Sequence, residues 1–398
     1  MRKSLALSIV TLVVIGMAGD TAFADANVGD LMVTEKQPHR VAHFDPNGAY
    51  LDRIVEGLEG NAHDVVFTPD GYYMLVATGT LAAPGGVAKY DADDFTFLGY
   101  VIPHPDDGVH NLINLAFGHN GELYVTKSAT PSHDTSVIEY AFECGETVGD
   151  SSEIITGLNA GWYLVVCPNG NLLVAEYFDN RVREYHNNGG AWEQVCEISD
   201  DEDIVRPEGL AFGSAGQLYV CTQDEESGVI EYERDPNSGC WLKMRKFLRG
   251  SLWEPMGATF GPNGNLFVVS YRNERVVEID VVNGDPNDPN SQTEFISSNL
   301  DYPFDLAFKP IKDCNANGIP DDQDIADCDP NDPDCQDCNE NGIPDECDLV
   351  CGTETDFNNN GVPDDCECLG DLNGDGEVGL PDLAIILARY GAQCYLRN

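Results

Sequence analysis

Apolar and polar residues alternate with a period of two along most of this chain, and almost nothing between residues 29 and 310 keeps the 3.6-residue period of an amphipathic helix. The alternation comes in blocks. AFGHNGELYV (Ala116–Val125), AFGSAGQLYV (Ala211–Val220) and TFGPNGNLFV (Thr259–Val268) each read as an apolar strand, a glycine-centred turn and a second alternating strand. VVCPNGNLLV (Val165–Val174) and VFTPDGYYMLV (Val66–Val76) follow the same template. The turn glycines Gly71, Gly121, Gly170, Gly216 and Gly264 are 50, 49, 46 and 48 residues apart. A third strand follows each hairpin (GVAKY, SVIEY, RVREY, GVIEY, RVVEI), and a looser fourth comes after it, as in QVCEI around Cys196. Four strands in a repeat of that length describe a propeller blade rather than a helical solenoid.

Five full repeats open at Ala62, Leu112, Gly161, Pro207 and Pro255, and a sixth, YPFDLAFKP (Tyr302–Pro310), stops after one strand. Its missing strands lie at the other end of the chain, where Gly29–Val55 aligns with the stretch that begins at Gly264 as second, third and fourth strands. The pattern therefore predicts an all-β fold, a six-bladed β-propeller over residues 29–310 with shared-terminus closure. Building the last blade from both termini pairs strand edges that would otherwise be exposed.

Composition changes the picture at both ends. Arg2 and Lys3 precede the apolar run Leu5–Ala18, and Ala22-Phe23-Ala24 has the small-x-small form of a cleavage site, so residues 1–24 read as a signal peptide. The apolar run is short for a bilayer and is broken by Gly19-Asp20, so a membrane span is not expected. A secreted or cell-surface protein follows. Its 69 acidic and 21 basic residues leave a formal net charge of -48, which repels nucleic acid and anionic lipid and attracts cations. Of the 14 cysteines, five lie in the body and nine follow residue 313, and in an exported chain they favour disulfides. Both counts are odd, so either one bridge links body to tail or some thiols stay free, and the connectivity cannot be read from spacing.

The repeats also carry a resemblance. RPEGLAFGSAGQLYV (Arg206–Val220), VAEYFDNRVREY (Val174–Tyr185) and VSYRNERVVEI (Val269–Ile279) resemble the NHL-repeat propellers, with Arg40, Arg181 and Arg275 at the family's arginine position. Arg40 follows His39 where the other two follow Asn180 and Glu274. The resemblance speaks to fold, since such propellers host enzymes, receptors and scaffolds alike.

From Asp313 to Asp382 there are 22 acidic residues and no Lys or Arg, and the acids are phased. DCNANGIPDDQD (Asp313–Asp324), DCNENGIPDECD (Asp337–Asp348) and DFNNNGVPDDCE (Asp356–Glu367) place oxygen side chains at positions 1, 3, 5, 9 and 12, with Gly at 6 and an apolar residue at 7 that offers its carbonyl. Calcium takes six to eight oxygens, and a 12-residue loop of this form supplies them. The candidate ligands are Asp313, Asn315, Asn317, Ile319, Asp321 and Asp324; Asp337, Asn339, Asn341, Ile343, Asp345 and Asp348; and Asp356, Asn358, Asn360, Val362, Asp364 and Glu367. Residues 313–367 resemble thrombospondin type 3 repeats, in which calcium and disulfides replace an apolar core. Asn at positions 3 and 5 of every loop lowers the ligand charge.

The last unit, residues 368–394, has the sharpest loop: Asp371, Asn373, Asp375, Glu377 through its carbonyl, and Asp382, running into a short apolar helix. It resembles one half of a dockerin. A dockerin pairs two such halves, so a single one argues against cohesin docking and for a terminal calcium knob bracketed by Cys368 and Cys394. Tails of this kind look like those of planctomycete-type secreted proteins.

Function is expected on the propeller. Catalytic or binding groups of propellers gather where the innermost strands begin, which here means Asn61–Asp64, Asn111–Asn114, Ala160–Tyr163, Arg206–Gly209, Glu254–Gly257 and Tyr302–Asp305. His63 and Glu208, with Asp64 or Asp305, are the candidate metal or acid–base cluster. Polar residues at blade tops also serve simply to bond loop backbone. No nucleophile elbow, P-loop or HExxH motif occurs, and no CxxC stands in a redox context. Gluconolactonase-like propellers carry a late Asp-Gly motif, whereas the Asp-Gly pairs of this body come early, Asp70-Gly71 in a strand turn and Asp107-Gly108 ahead of the repeat that opens at Leu112. Streptogramin-lyase-like propellers have similar hairpins and a His/Glu site but usually seven blades. The expected function is a binding or scaffold propeller that takes a protein, glycan or small-molecule ligand at one face. The alternative is a metal-dependent lactonase- or lyase-type enzyme using the channel.

Overall fold

The computed structural model describes residues 27–366 and 379–389, apart from 37–38, 55–57, 59, 80–84, 104–109, 130–132, 200–201, 224–227, 248–249, 287, 289–290, 329–334 and 358–360. The signal-peptide region, Asn358, Asn360, Glu367, Asp371, Asn373, Asp375, Glu377, Cys368 and Cys394 lie outside the described residues. Six four-stranded antiparallel sheets form the body, each with its innermost strand first in chain order in five of the six. Blades 1 to 5 span Asn61–Ile102, His110–Asn159, Gly161–Ile198, Leu210–Phe247 and Pro255–Ile296. Blade 6 joins Pro303–Phe308 to the N-terminal strands Leu31–Glu35, Arg40–Phe44 and Tyr50–Ile54, with Leu31 opposite Phe308 and Val33 opposite Leu306. This is the six-bladed propeller with shared closure that the repeats predict.

Period-two alternation explains why blades stack. Successive side chains of a strand point to opposite faces, so each blade presents one apolar face to each neighbour. In blade 6, Leu31 and Val33 pack with Phe267 and Val269 of blade 5, whereas Met32 packs with Val65 and Val76 of blade 1. Six such apolar clusters, one per blade interface, complete the ring.

The arginines of the NHL-like positions tie hairpins. Arg40, Arg181 and Arg275 stand directly across from Glu35, Glu176 and Ser270. Each follows a non-glycine residue with positive φ: His39 at 55°, Asn180 at 51° and Glu274 at 56°. Asn tolerates that conformation best, which accounts for its place in the pattern.

The tail is fastened to the propeller. Cys144, at the tip of a long hairpin in blade 2, is bonded to Cys351, so one bridge does link body to tail. Tyr72 Oη donates to Asp321 Oδ2 at 2.6 Å, and the Asp313 N–H donates to the Asp70 carbonyl at 3.1 Å. Gly71 is required twice over: its φ is +77°, and a Cβ there would lie 2.2 Å from the Ile311 carbonyl oxygen. Cys314–Cys347, Cys328–Cys335 and Cys338–Cys366 staple the tail internally, and Cys196–Cys240 joins blades 3 and 4. Among the described residues, Cys167 and Cys221 are free thiols, both buried. No described helix is long and apolar enough to cross a membrane.

Candidate functional site at the channel mouth

The four-residue segments that open the inner strands divide into two layers. Their third residues, His63, Ile113, Trp162, Glu208, Met256 and Phe304, all line a cavity of about 370 Å³ at one end of the channel. Of the fourth residues, Asp64, Asn114, Tyr163 and Asp305 line a second cavity of about 520 Å³ toward the other end. The tail docks near the hairpin turns at that second end, leaving the first, the mouth, clear of it.

Backbone irregularity creates the mouth. In five blades the register between inner strand and neighbour slips at this point, for example between Ala62 and Asp64 and between Gly161 and Tyr163. A bulge leaves one residue unpaired and re-aims its side chain, which turns His63 and Trp162 into the channel. Ala160, Arg206, Glu254 and Tyr302, each two residues ahead of a mouth side chain, adopt positive φ between 49° and 53°. Non-glycine residues held there cost of order 1–3 kcal/mol each and cluster at functional sites.

The sequence-predicted cluster separates. His63 and Glu208 share the mouth, whereas Asp64 and Asp305 sit one layer deeper and close the channel as a belt. Asp64 Oδ2 accepts from the Asn114 amide at 2.8 Å and from the Leu115 N–H, and Asp305 Oδ1 accepts from Tyr163 Oη at 3.1 Å and the Leu306 N–H at 2.8 Å. Burial pushes both carboxyls up, and repulsion from Asp64 lifts Asp305 further. Glycine fills the fourth position in blades 4 and 5. At Gly257 a Cβ would stand 2.1 Å from Asp305 Oδ1, so the small residue makes room for the acid.

At the mouth, His63 is 6% exposed; its Nε2 faces the Gly79 carbonyl at 3.2 Å, and its Nδ1 has no hydrogen-bond partner. The carbonyl fixes the tautomer: Nε2 carries the hydrogen and Nδ1 presents a lone pair. Burial and the nearby Lys36 charge hold the imidazole pKa down to about 3, so the ring is neutral. Glu208 is buried, and desolvation pushes it up to about 8, with Lys36 opposing and Glu254 adding to the rise. Lys36 was not among the residues singled out from sequence. Its Nζ lies 4.3 Å from the centroid of the Phe304 ring, and burial draws its pKa below the ordinary lysine range against the pull of Glu208.

Aromatic rings line the mouth. Trp162 stacks on Tyr177 with centroids 4.9 Å apart and planes 28° from parallel, and Tyr271 and Phe304 also line the cavity. Asn61, Asn111, Ser128, His133, Gln223 and Glu254 supply polar groups. Those of the loop-borne set, Tyr177, Gln223 and Tyr271, occupy the ends of second strands, where the repeat gives no cue beyond position.

A test of Glu208 follows from linkage. A carboxyl raised in the folded state to about 8 from 4.5 keeps a proton that the unfolded chain releases, so its contribution to stability is lost as pH rises through that window. Lys36, lowered in the folded state, acts in the opposite sense toward its unfolded value of 10.5. Glu208→Gln is expected to flatten the fall in stability across the Glu208 window by at most about 1.4 kcal/mol per pH unit, read from denaturant melts at stepped pH.

In the tail, loops 1 and 2 repeat one geometry. Asp313 and Asp337 accept from the backbone N–H of the fifth and sixth residues, and the Asn317 and Asn341 amides reach Asp324 and Asp348 at 2.6 and 2.9 Å. First, third, fifth and twelfth side chains thus converge. The ninth residues differ: Asp321 and Asp345 are buried and accept from the N–H of Cys314 and Cys338. Asp364 likewise accepts from Phe357 N–H, Asp356 from Gly361 N–H, and Asp382 from Gly379 N–H. Among the described residues, the one group of three with metal-ligating spacing is Cys338, Asp345 and Cys366, whose two cysteines are bonded to each other.

No family profile matches the chain, and no curated protein matches it in sequence. Solved structures do share its fold. A functionally unknown protein from Desulfotomaculum acetoxidans DSM 771 aligns at 16% identity and TM-score 0.52, covering 71% of this chain and 99% of that one. A protein of unknown function from Bacteroides caccae aligns at 15% identity and TM-score 0.51, covering 70% and 98%. The periplasmic gluconolactonase of Pseudomonas aeruginosa aligns at 17% identity and TM-score 0.47, covering 68% and 80%. At these identities the likeness is one of fold.

Proposed function

We propose that this chain is an exported small-molecule-binding propeller, with its ligand in the channel mouth and a calcium-stabilised tail fastened to the opposite end. The observation that carries the reading is His63, a buried imidazole that lines an aromatic-rich cavity and whose Nδ1 has no hydrogen-bond partner. Buried polar atoms are nearly always satisfied, so an orphan at a cavity calls for a ligand group. A volume of about 370 Å³ suits a small molecule or the end of a glycan rather than a protein surface. Stacked Trp162 and Tyr177 beside amide and carboxyl groups favour a ring-bearing ligand with hydroxyl or amino substituents.

The test is a fluorescence titration with mono- and disaccharides and small aromatic acids and aldehydes. Trp162 is one of four tryptophans, so binding is expected to change emission in the native chain and not in Trp162→Phe. An emission change that survives that substitution would move the ligand elsewhere.

The channel-enzyme alternative is favoured by Glu208, raised by burial to about 8, lining the same cavity as the neutral His63, an acid with a separate acceptor. Turnover of a lactone lost in Glu208→Gln would establish it.

For the tail, calcium fits the residue set: the carboxyl and amide side chains of the first, third, fifth and twelfth positions lie together in loops 1 and 2 around a glycine with φ of 86° or 82°, and a calcium ion would replace the amide N–H bonds that now reach Asp324 and Asp348. Chelation with EDTA is expected to expose the segment from Asp313 to Cys366 to protease while leaving the propeller's melting temperature unchanged. Equal protection with and without chelator would remove calcium from the account.

A further inference from the structure

Two polar groups at the mouth have no hydrogen-bonding protein partner among the described residues: His63 Nδ1 and the Lys36 ammonium. The second is the less expected, because the preceding residue is a buried carboxylate. Glu35, however, is occupied by Arg40, Arg53 and the Asp301 N–H. Lys36 is left against the face of Phe304, with Glu208 as its electrostatic neighbour but outside ion-pair distance. A lysine in a partly apolar cleft, without a carboxylate clamp, is the setting in which an amine becomes a nucleophile.

We propose that Lys36 is a covalent binding group, whose ε-amine condenses reversibly with the carbonyl carbon of an aldehyde-bearing ligand seated between Phe304 and Trp162. This rests on the reading of the mouth as a ligand site. The neutral amine forms the C–N bond as the C=O π pair moves to oxygen. Nitrogen gives up two protons in all, oxygen gains two and leaves as water, and the C=N bond of the imine remains. No oxidant or reductant is consumed. The Glu208 carboxyl is placed to protonate the departing hydroxyl, and His63 Nδ1 to accept a hydrogen bond from it. Burial, which lowers the lysine pKa and raises that of Glu208, favours the neutral amine and the neutral acid together.

The test uses the full chain with benzaldehyde and sodium cyanoborohydride at pH 7, followed by peptide mass mapping. The expected result is benzyl labelling of Lys36 about tenfold above Lys127, and about tenfold slower labelling in Glu208→Gln. Lys36→Arg and Lys36→Met are expected to lose that label while retaining the native melting temperature. Benzaldehyde titrated without reductant, read by Trp162 emission, reports occupancy separately. Occupancy with labelling of Lys36 no greater than of Lys127 overturns the covalent role and leaves the ligand site standing. Emission that responds to saccharides but not to benzaldehyde, with no excess label, also overturns it. No response to any ligand class overturns both.

Discussion

Glu35→Ala is expected to destabilise the propeller by about 3–5 kcal/mol, the cost of removing one partner from a buried ion pair. Glu35 is fully buried, its Oε1 accepts from Arg40 Nη2 at 3.3 Å and from the Asp301 N–H, and its Oε2 bonds Arg40 Nε and lies 3.4 Å from Arg53 Nε. Arg40 and Arg53 belong to the N-terminal strands of blade 6, and Asp301 precedes the strand supplied by the C-terminal end of the ring. The carboxylate therefore joins the two ends of the chain where they close the ring, and its loss leaves Arg40 with Asp301, Arg53 with the Asn299 carbonyl and Tyr50, and the Asp301 N–H without its acceptor. Asp203→Ala, which removes a half-exposed partner of Lys243 and Lys246, is the contrast. It should cost less than about 1 kcal/mol. Denaturant melts of both variants check the pair. Equal small losses would mean that closure is held by the apolar interfaces alone.

Gly257→Ala is expected to cost about 3 kcal/mol, at the upper end for an overpacked core. The added Cβ would stand 2.1 Å from Asp305 Oδ1 and 2.8 Å from Asp305 Cα, so rotation of the acid cannot relieve the second contact. Either blade 6 moves away from blade 5 or Asp305 leaves the belt, and its bonds to Tyr163 and Leu306 are lost with it. Equilibrium unfolding measures the cost. A value near zero would show that the belt tolerates displacement and is no structural plug.

Much of this architecture was legible because a propeller is written in repeats. Glycine turns spaced by 46 to 50 residues reported the blades, and the half-repeats at Gly29–Val55 and Tyr302–Pro310 reported the closure. Alignment of the inner-strand starts singled out His63 and Glu208, which line one mouth. It could not separate them from Asp64 and Asp305, because neighbouring residues at a bulge part company by face, and bulges leave no mark in a period-two pattern. Lys36 went unnoticed for a different reason. It follows the second strand of the split blade, and its approach to Phe304 depends on ring closure, which brings residues 36 and 304 together across the whole chain. The odd cysteine counts left open a bridge between body and tail or free thiols, and the reach of the blade 2 hairpin selects Cys144 for Cys351 while Cys167 and Cys221 stay free. The tail loops were read from their phasing. That their ninth-position Asp321 and Asp345 serve the backbone, and that Asp321 also receives Tyr72, follows from docking against blade 1.

The central claim is that the mouth between His63, Glu208 and Trp162 is where this propeller takes a ligand. Saturation-transfer NMR tests it most directly, with mixtures of mono- and disaccharides and small aromatic acids and aldehydes over the native chain and over Trp162→Ala. The account predicts saturation of at least one class by the native chain, and its loss in the variant. Saturation of none, or saturation undiminished in Trp162→Ala, would contradict it.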